Sequence, residues 1–174
     1  MILSVSRRTD IPAFYMPWFM NRLREGYVMV RNPMNYHQVS RVSLSPEVID
    51  CMVFWTKNAI PLTPHLGEIA LQYPFYIQYT LNPYGRDLEP GLPPLAQRLA
   101  SACAIAEQFG SKHVVWRYDP IMLTEQYTAD WHIEQFAAMA DALKGSARDC
   151  VFSFVDLYLS LIHISEPTRL LSIS

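Results

Sequence analysis

The sequence has little of what recognisable sites are usually made from. Its three cysteines, Cys51, Cys103 and Cys150, are odd in number, far apart and in no Cys-x-x-Cys pair. That excludes a readable disulfide framework or zinc site and leaves buried structural thiols as the expectation. The six glycines form neither a Gly-x-Gly-x-x-Gly nor a Walker loop, so no phosphate-cradling loop can be read. The five histidines complete no triad: His113 opens a strand-like run at the wrong end, His132 lies on a helix, His37 and His65 fall in loops, and His163 is near the C-terminus. No apolar run approaches the roughly 20 residues of a membrane span, and Met1–Arg8 lacks the order of a signal peptide. The cytoplasm is therefore the expected location. Charge is scarce as well, at 17% with a net −2, so any anion site must be local rather than a property of the whole surface.

What the chain does have is apolar sequence. Its 174 residues are 51% hydrophobic, which suits one domain able to bury roughly two-thirds of its unfolded surface. The 13% of aromatic residues read first as core and second as stacking platforms. Six apolar, strand-like runs each close on polar groups. Leu3–Asp10 ends Ser-Arg-Arg-Thr-Asp, Val28–Asn32 ends Arg-Asn, and Met52–Asn58 ends Thr-Lys-Asn. Tyr76–Asn82 passes through Thr80, Val114–Pro120 ends Arg-Tyr-Asp-Pro, and Val151–Asp156 ends in Asp. Cys51–Trp55 is solidly apolar, the mark of a strand covered on both faces.

Helical spacing fills the gaps. Ala13–Glu25 follows Asp10 and Pro12, which stand where an N-cap and a first-turn proline belong. Leu95, Leu99, Ala102, Cys103, Ala106 and Phe109 keep one face, as do Trp131, Ile133, Phe136, Ala137, Ala140 and Leu143. Pro61–Gln72 gives a shorter helical turn, and residues 33–50 read as a short irregular excursion. Gly26, Gly110 and Gly145 each follow a helix and precede a strand, as left-handed C-caps do. Strands alternating with helices imply right-handed crossovers and a parallel sheet. The expected fold is α/β, a partial (β/α) barrel of about six parallel strands resembling a TIM barrel. Six units where eight close a barrel make the chain read as C-terminally truncated, with chemistry gathered at the strands' C-terminal ends.

Those ends nominate the site. Arg7 and Arg8 leave the first strand together and suit bidentate capture of a carboxylate or phosphate, with Asp10 either beside them or merely capping the next helix. Arg31 with Asn32, and Lys57 with Asn58, each offer one cation and one amide, although Asn58 could instead form a turn before Pro61. Arg117 and Asp119 could act on a ligand or simply pair with each other. Asp156 ends a wholly apolar strand and, if buried, would need a cation, a metal or a proton. Asp119 and Asp156 are thus the expected catalytic carboxylates, and the remaining eight residues the expected ligand contacts. No metal site is expected.

Five blocks carry a family resemblance: Ser4–Tyr15, Val30–Asn32 with Gln38–Pro46, Val53–Asn58, Val115–Pro120 and Ser153–Asp156. Together, in this order across residues 1–158, they resemble the bacterial and archaeal family called domain of unknown function 1848. The resemblance implies that an intact member is a barrel-like iron–sulfur enzyme similar to radical S-adenosylmethionine proteins. It would carry a C-terminal Cys-x-x-x-Cys-x-x-Cys cluster for a [4Fe–4S] centre and use S-adenosylmethionine on an unidentified substrate. None of the three cysteines here has that spacing, so this chain is expected to hold neither cofactor and to be inactive alone. Residues 159–174, beginning Leu-Ser-Leu-Ile-His-Ile-Ser-Glu-Pro-Thr-Arg, resemble an in-frame translation of a sequencing-library adaptor and are set apart from the single domain at 1–158.

The leading expectation is thus a truncated member of a radical-type iron–sulfur family. The alternative is a metal-free barrel enzyme or binding protein for an anionic metabolite. In that reading Arg7, Arg8, Lys57 and Arg117 hold the anion, and Asp119 or Asp156 serves as general base. A module binding single-stranded nucleic acid through arginines and aromatics is a third reading, disfavoured by the net charge. No membrane partner is expected, and the sequence leaves the oligomeric state open.

Overall fold

The elements fall where apolar periodicity and punctuation place them. A computed structural model describes residues 1–5 and 9–155. Their order is β1 (Ile2–Val5), α1 (Ile11–Phe14), α2 (Met16–Glu25), β2 (Tyr27–Arg31), β3 (Val39–Ser43), β4 (Cys51–Thr56), α3 (Leu66–Ala70), β5 (Phe75–Thr80), α4 (Leu95–Phe109), β6 (Val114–Ile121), α5 (Ala129–Ala142) and β7 (Asp149–Phe154). Five strands form one sheet in the order β1-β4-β5-β6-β7, and every neighbouring pair is parallel. Helices α3, α4 and α5 supply the successive crossovers from β4 to β7, as parallel pairing requires.

Two expectations need correction. The strand at Tyr27–Arg31 is not part of the parallel sheet. It pairs antiparallel with β3, from Tyr27 opposite Ser43 to Arg31 opposite Val39, in a separate two-stranded sheet. The "irregular" residues after Asn32 are therefore the return arm of a hairpin, fixed by Val28 opposite Val42 and by Arg41 lying 4.3 Å over the Tyr27 ring. The parallel sheet accordingly has five strands rather than about six. Strands β1 and β7 are its edges, and the described residues form no closed barrel.

Smaller departures have local causes. The helix expected over Ala13–Glu25 is two helices separated at Tyr15, whose ψ of 23° interrupts the run. Pro17 explains the break, because it lacks the N–H that a continuous helix would direct at Ala13. Gly26 is a left-handed cap at φ 75°, its N–H donating to Arg22 and Leu23. Gly110 takes φ 97° with ψ 151°, a positive-φ conformation suited to glycine but outside the left-handed helical region. Pro120 does not stop β6. The strand continues to Ile121 through a register irregularity against β7 after Tyr118, where a strand proline is tolerated.

One face of the sheet carries the core. In β5 and β6, burial alternates strictly, with Phe75, Ile77, Tyr79, Val114, Trp116 and Tyr118 facing the helices. Phe19, Phe54, Phe75 and Phe109 contact one another edge-on in sequence, at centroid distances of 5.9, 6.4 and 5.4 Å. Ile105, Ala102 and Met139 close the helix side. The opposite face holds Trp55, Tyr76, Gln78, Thr80, Arg117 and Asp119, placed together by the pairings Trp55–Gln78 and Thr80–Arg117. It is half-exposed, so β4 is not covered on both sides along its whole length: Val53 is 4% exposed but Trp55 38%. Cys150 is exposed too, contrary to the expectation of a buried thiol, because it sits on the edge strand β7.

Candidate functional site

The carboxyl ends of the parallel strands hold two linked polar clusters. The first is built on Asp10. Its Oδ1 accepts from the Ala13 N–H at 2.9 Å and caps α1, as Asp10 and Pro12 predict. Its Oδ2 reaches across to β4, accepting from the Thr56 hydroxyl at 2.9 Å and the Lys57 N–H at 3.0 Å. Thr56 Oγ1 in turn accepts from the Asn58 N–H at 2.9 Å, and Asn58 Oδ1 accepts from the Ile60 N–H at 3.2 Å. Asn58 is thus a turn former. Asp10 does more than cap, because it fastens the β1–α1 connection to the end of β4.

Lys57 extends this cluster inward. Its Nζ donates to Glu89 Oε1, while Arg98 Nη2 lies 3.8 Å from Glu89 Oε2. The side chains of Glu89 and Arg98 are only 7% and 3% exposed. Arg98 also donates from Nε to the Pro93 carbonyl at 3.1 Å and from Nη2 to the Asn82 carbonyl at 3.3 Å. Burial pulls the guanidinium below its ordinary pKa, and the charge of Glu89 opposes that pull. Sequence reasoning missed Glu89, Arg98 and Asn82 as site residues. A signal for Arg98 was present: it stands three residues after Leu95 and four before Ala102, on the stripe that faces the core.

The second cluster is built on β6. Asn82 grips the strand end with both ends of its amide, donating from Nδ2 to the Asp119 carbonyl at 2.8 Å and accepting from the Asp119 N–H at 3.0 Å. The Asp119 carboxylate takes Arg117 Nε at 3.0 Å, Arg117 Nη2, and the Ser153 hydroxyl from β7. Arg117 Nη1 also reaches Gln78 Oε1 at 3.4 Å, and its guanidinium lies 4.9 Å from the Trp55 ring centroid. Burial pushes the Asp119 carboxyl up. The hydrogen bonds from Ser153 and Arg117, with the charges of Arg117 and Lys57, outweigh it and hold the group below its ordinary value. Asp119 is therefore an ionised, well-satisfied carboxylate and a weak base.

The structure brings Asp10, Lys57, Asn58, Arg117 and Asp119 to one end of the sheet. Lys57 is near enough to act on the charge of Asp119. Arg31 and Asn32 stand at the loop end of the β2–β3 hairpin, outside the parallel sheet. Asn32 closes that loop by donating to Gln38 Oε1 at 2.7 Å and accepting from the Met34 N–H at 2.9 Å. Arg31 lies 5.9 Å over the Tyr36 ring. Arg7, Arg8, Asp156 and residues 159–174 lie outside the described residues.

Each cation described at the rim stands beside a carboxylate. Lys57 and Arg98 share Glu89, and Arg117 is paired with Asp119. A ligand there meets donors already oriented by carboxylates, beside the exposed indole of Trp55. An iron–sulfur centre does not fit these residues. Cys51, Cys103 and Cys150 are on β4, α4 and β7 respectively, and no group of three or more His, Cys, Asp or Glu among the described residues could hold a metal ion. No helix among them is long and apolar enough to cross a membrane.

Fold and site together define a mixed α/β protein whose polar groups collect at the carboxyl ends of a five-strand parallel sheet, the usual place for ligands in such sheets. Within that class, the chain belongs to the family described as Domain of unknown function (DUF1848), which matches residues 2–170. No curated protein and no solved structure matches it.

Proposed function

We propose that the protein binds a small metabolite through a carboxylate or phosphate at the carboxyl ends of β4, β5 and β6, in a sheet that forms part of a (β/α) barrel. The observation that carries this reading is the setting of Arg117. It stands on the helix-free face, oriented by Asp119, with Nη1 held only by a long contact to Gln78 and with Trp55 alongside. A guanidinium held in this way keeps donors for an incoming anion and loses little freedom on binding. Lys57 is the second cation within reach, and Asp119 serves to position Arg117 rather than to take a proton. The iron–sulfur chemistry implied by the family resemblance draws no support from the described cysteines, so no step is assigned to it.

The test is a titration of the intrinsic fluorescence with inorganic phosphate and with citrate. Either anion is expected to change the emission of the wild-type protein, and the change is expected to vanish in Trp55→Phe. Arg117→Gln should weaken the response at least tenfold while leaving the far-ultraviolet circular dichroism unchanged. A response of equal affinity in Arg117→Gln, or none to either anion in the wild type, would overturn the reading.

A further inference from the structure

A second concave site lies on the other side of β1. The edge of β1 away from β4 and the β2–β3 hairpin face each other across a groove of ≈ 390 Å³, with α2 alongside. That volume falls at the small end of the range for small-molecule sites, roughly 300–1,000 Å³. Leu3, Val5, Phe19, Val28 and Leu44 are among the residues that line it. Val5, Phe19 and Leu44 belong to the buried core, so these parts of the wall are fixed before any ligand arrives. Trp18 and Met29 also line it and are 46% and 55% exposed, which leaves an apolar route from solvent.

The charged residues described in the groove have one sign. Arg22 and Arg31 line it, and the described lining includes no carboxylate. Arg22 Nε is buried and has no hydrogen-bond partner, a costly state for a charged donor unless an acceptor is supplied. Its guanidinium lies 5.9 Å over Tyr27, a ring that Arg41 also approaches, at 4.3 Å. Two cations therefore gather on one aromatic ring at the groove's side.

From these features we infer that the groove takes a medium-chain aliphatic carboxylate. The chain lies along Leu3, Val5, Val28 and Leu44, and the carboxylate accepts from Arg22. Apolar walls alone would suit any hydrophobic occupant. The two guanidinium groups in the described lining, with no carboxylate beside them, select one with an anionic end, and the volume limits its length. This site uses none of the groups assigned to the strand-end rim, so the two proposals stand or fall separately.

Calorimetric titration with decanoate, 1-decanol and acetate, at concentrations below micelle formation, tests the inference on the wild-type protein. Decanoate is expected to bind at least tenfold more tightly than 1-decanol, and acetate to give no measurable heat. Arg22→Gln should bring decanoate to the affinity of 1-decanol, and Val28→Trp, which fills the groove, should abolish both. Equal affinities for decanoate and 1-decanol in the wild type would remove the role of Arg22 without reliance on any variant. An unchanged affinity in Arg22→Gln, or no heat with decanoate, would also overturn the proposal. So would sedimentation showing a dimer that Val28→Trp disrupts and decanoate does not, because the groove would then be an interface between copies.

Discussion

Removing the Asp10 carboxylate should separate two roles that a sequence cannot tell apart. The group accepts three hydrogen bonds, one within its own turn from Ala13 and two across the sheet from Thr56 and Lys57. Loss of the cap costs about 1 kcal/mol. Each bond to a charged acceptor contributes about 1.5 kcal/mol at the low end of its range. Asp10→Ala should therefore destabilise the protein by about 4 kcal/mol, taking these terms as additive. Asp10→Ser keeps the cap and loses the tie to β4, for about 3 kcal/mol. Asp10→Asn also caps well but turns an amide donor toward the Lys57 N–H, and should fall near Asp10→Ser. Equilibrium urea unfolding reads each value from the shift in midpoint at constant slope. A double-mutant cycle with Thr56→Val should return a coupling of about 1 kcal/mol. If Asp10→Ser is as stable as the wild type, or the coupling is zero, Asp10 is only a helix cap and the cross-sheet tie contributes nothing.

The other predictions concern the end of β6. Asn82 is 1% exposed and satisfies both the N–H and the carbonyl of Asp119, so Asn82→Ala should cost about 2–4 kcal/mol by leaving both groups unpaired; a loss below 1 kcal/mol in urea unfolding would refute the bracket. The Asp119 carboxyl has a folded-state pKa below its ordinary value. Its contribution is therefore fully present above the unfolded pKa and is lost as pH falls through the folded one. Stability measured from neutral pH into the acid range should accordingly fall more steeply below about pH 4 in the wild type than in Asp119→Asn. Parallel acid limbs would show that the Arg117 and Ser153 contacts do not favour the ionised form.

These expectations change what the strand-end charges mean. In the sequence, Lys57 reads as a cation awaiting an anion, and Arg117 as either a ligand contact or the partner of Asp119. In the fold, each is held by a carboxylate, one of them from a residue 32 positions away in the loop before α4. An exposed pair of this kind would contribute little to stability. The Glu89–Arg98 contact is different, because both groups are almost fully buried and removing either partner would strand the other. That buried pair anchors the 82–94 loop over the sheet end and sets the floor beneath Lys57.

Local physics made much of the chain legible. Apolar runs placed β4, β5, β6 and β7 to within a few residues, because clusters of β-branched and aromatic residues favour extended backbone whether or not both faces are covered. Asp10 and Pro12 announced the start of α1, because capping geometry involves only neighbours. Pro17 carried the break before α2 as well, although the apolar spacing of Phe14, Trp18 and Phe19 spoke for one continuous helix. The pairing of β2 with β3 was not legible: whether a strand joins a sheet or turns back on the next segment depends on competing partners, and its own residues look the same either way. The Glu89–Arg98 contact and the neutralisation of Lys57 were hidden for the same reason. The sequence by itself determined which segments are strands and helices and which residues end them, since those preferences act over a few residues. Tertiary structure alone decided strand order, the pairing of β2 with β3 that takes Arg31 and Asn32 out of the parallel sheet, and the partners of Lys57 and Arg98, since these depend on contacts between residues far apart in the chain.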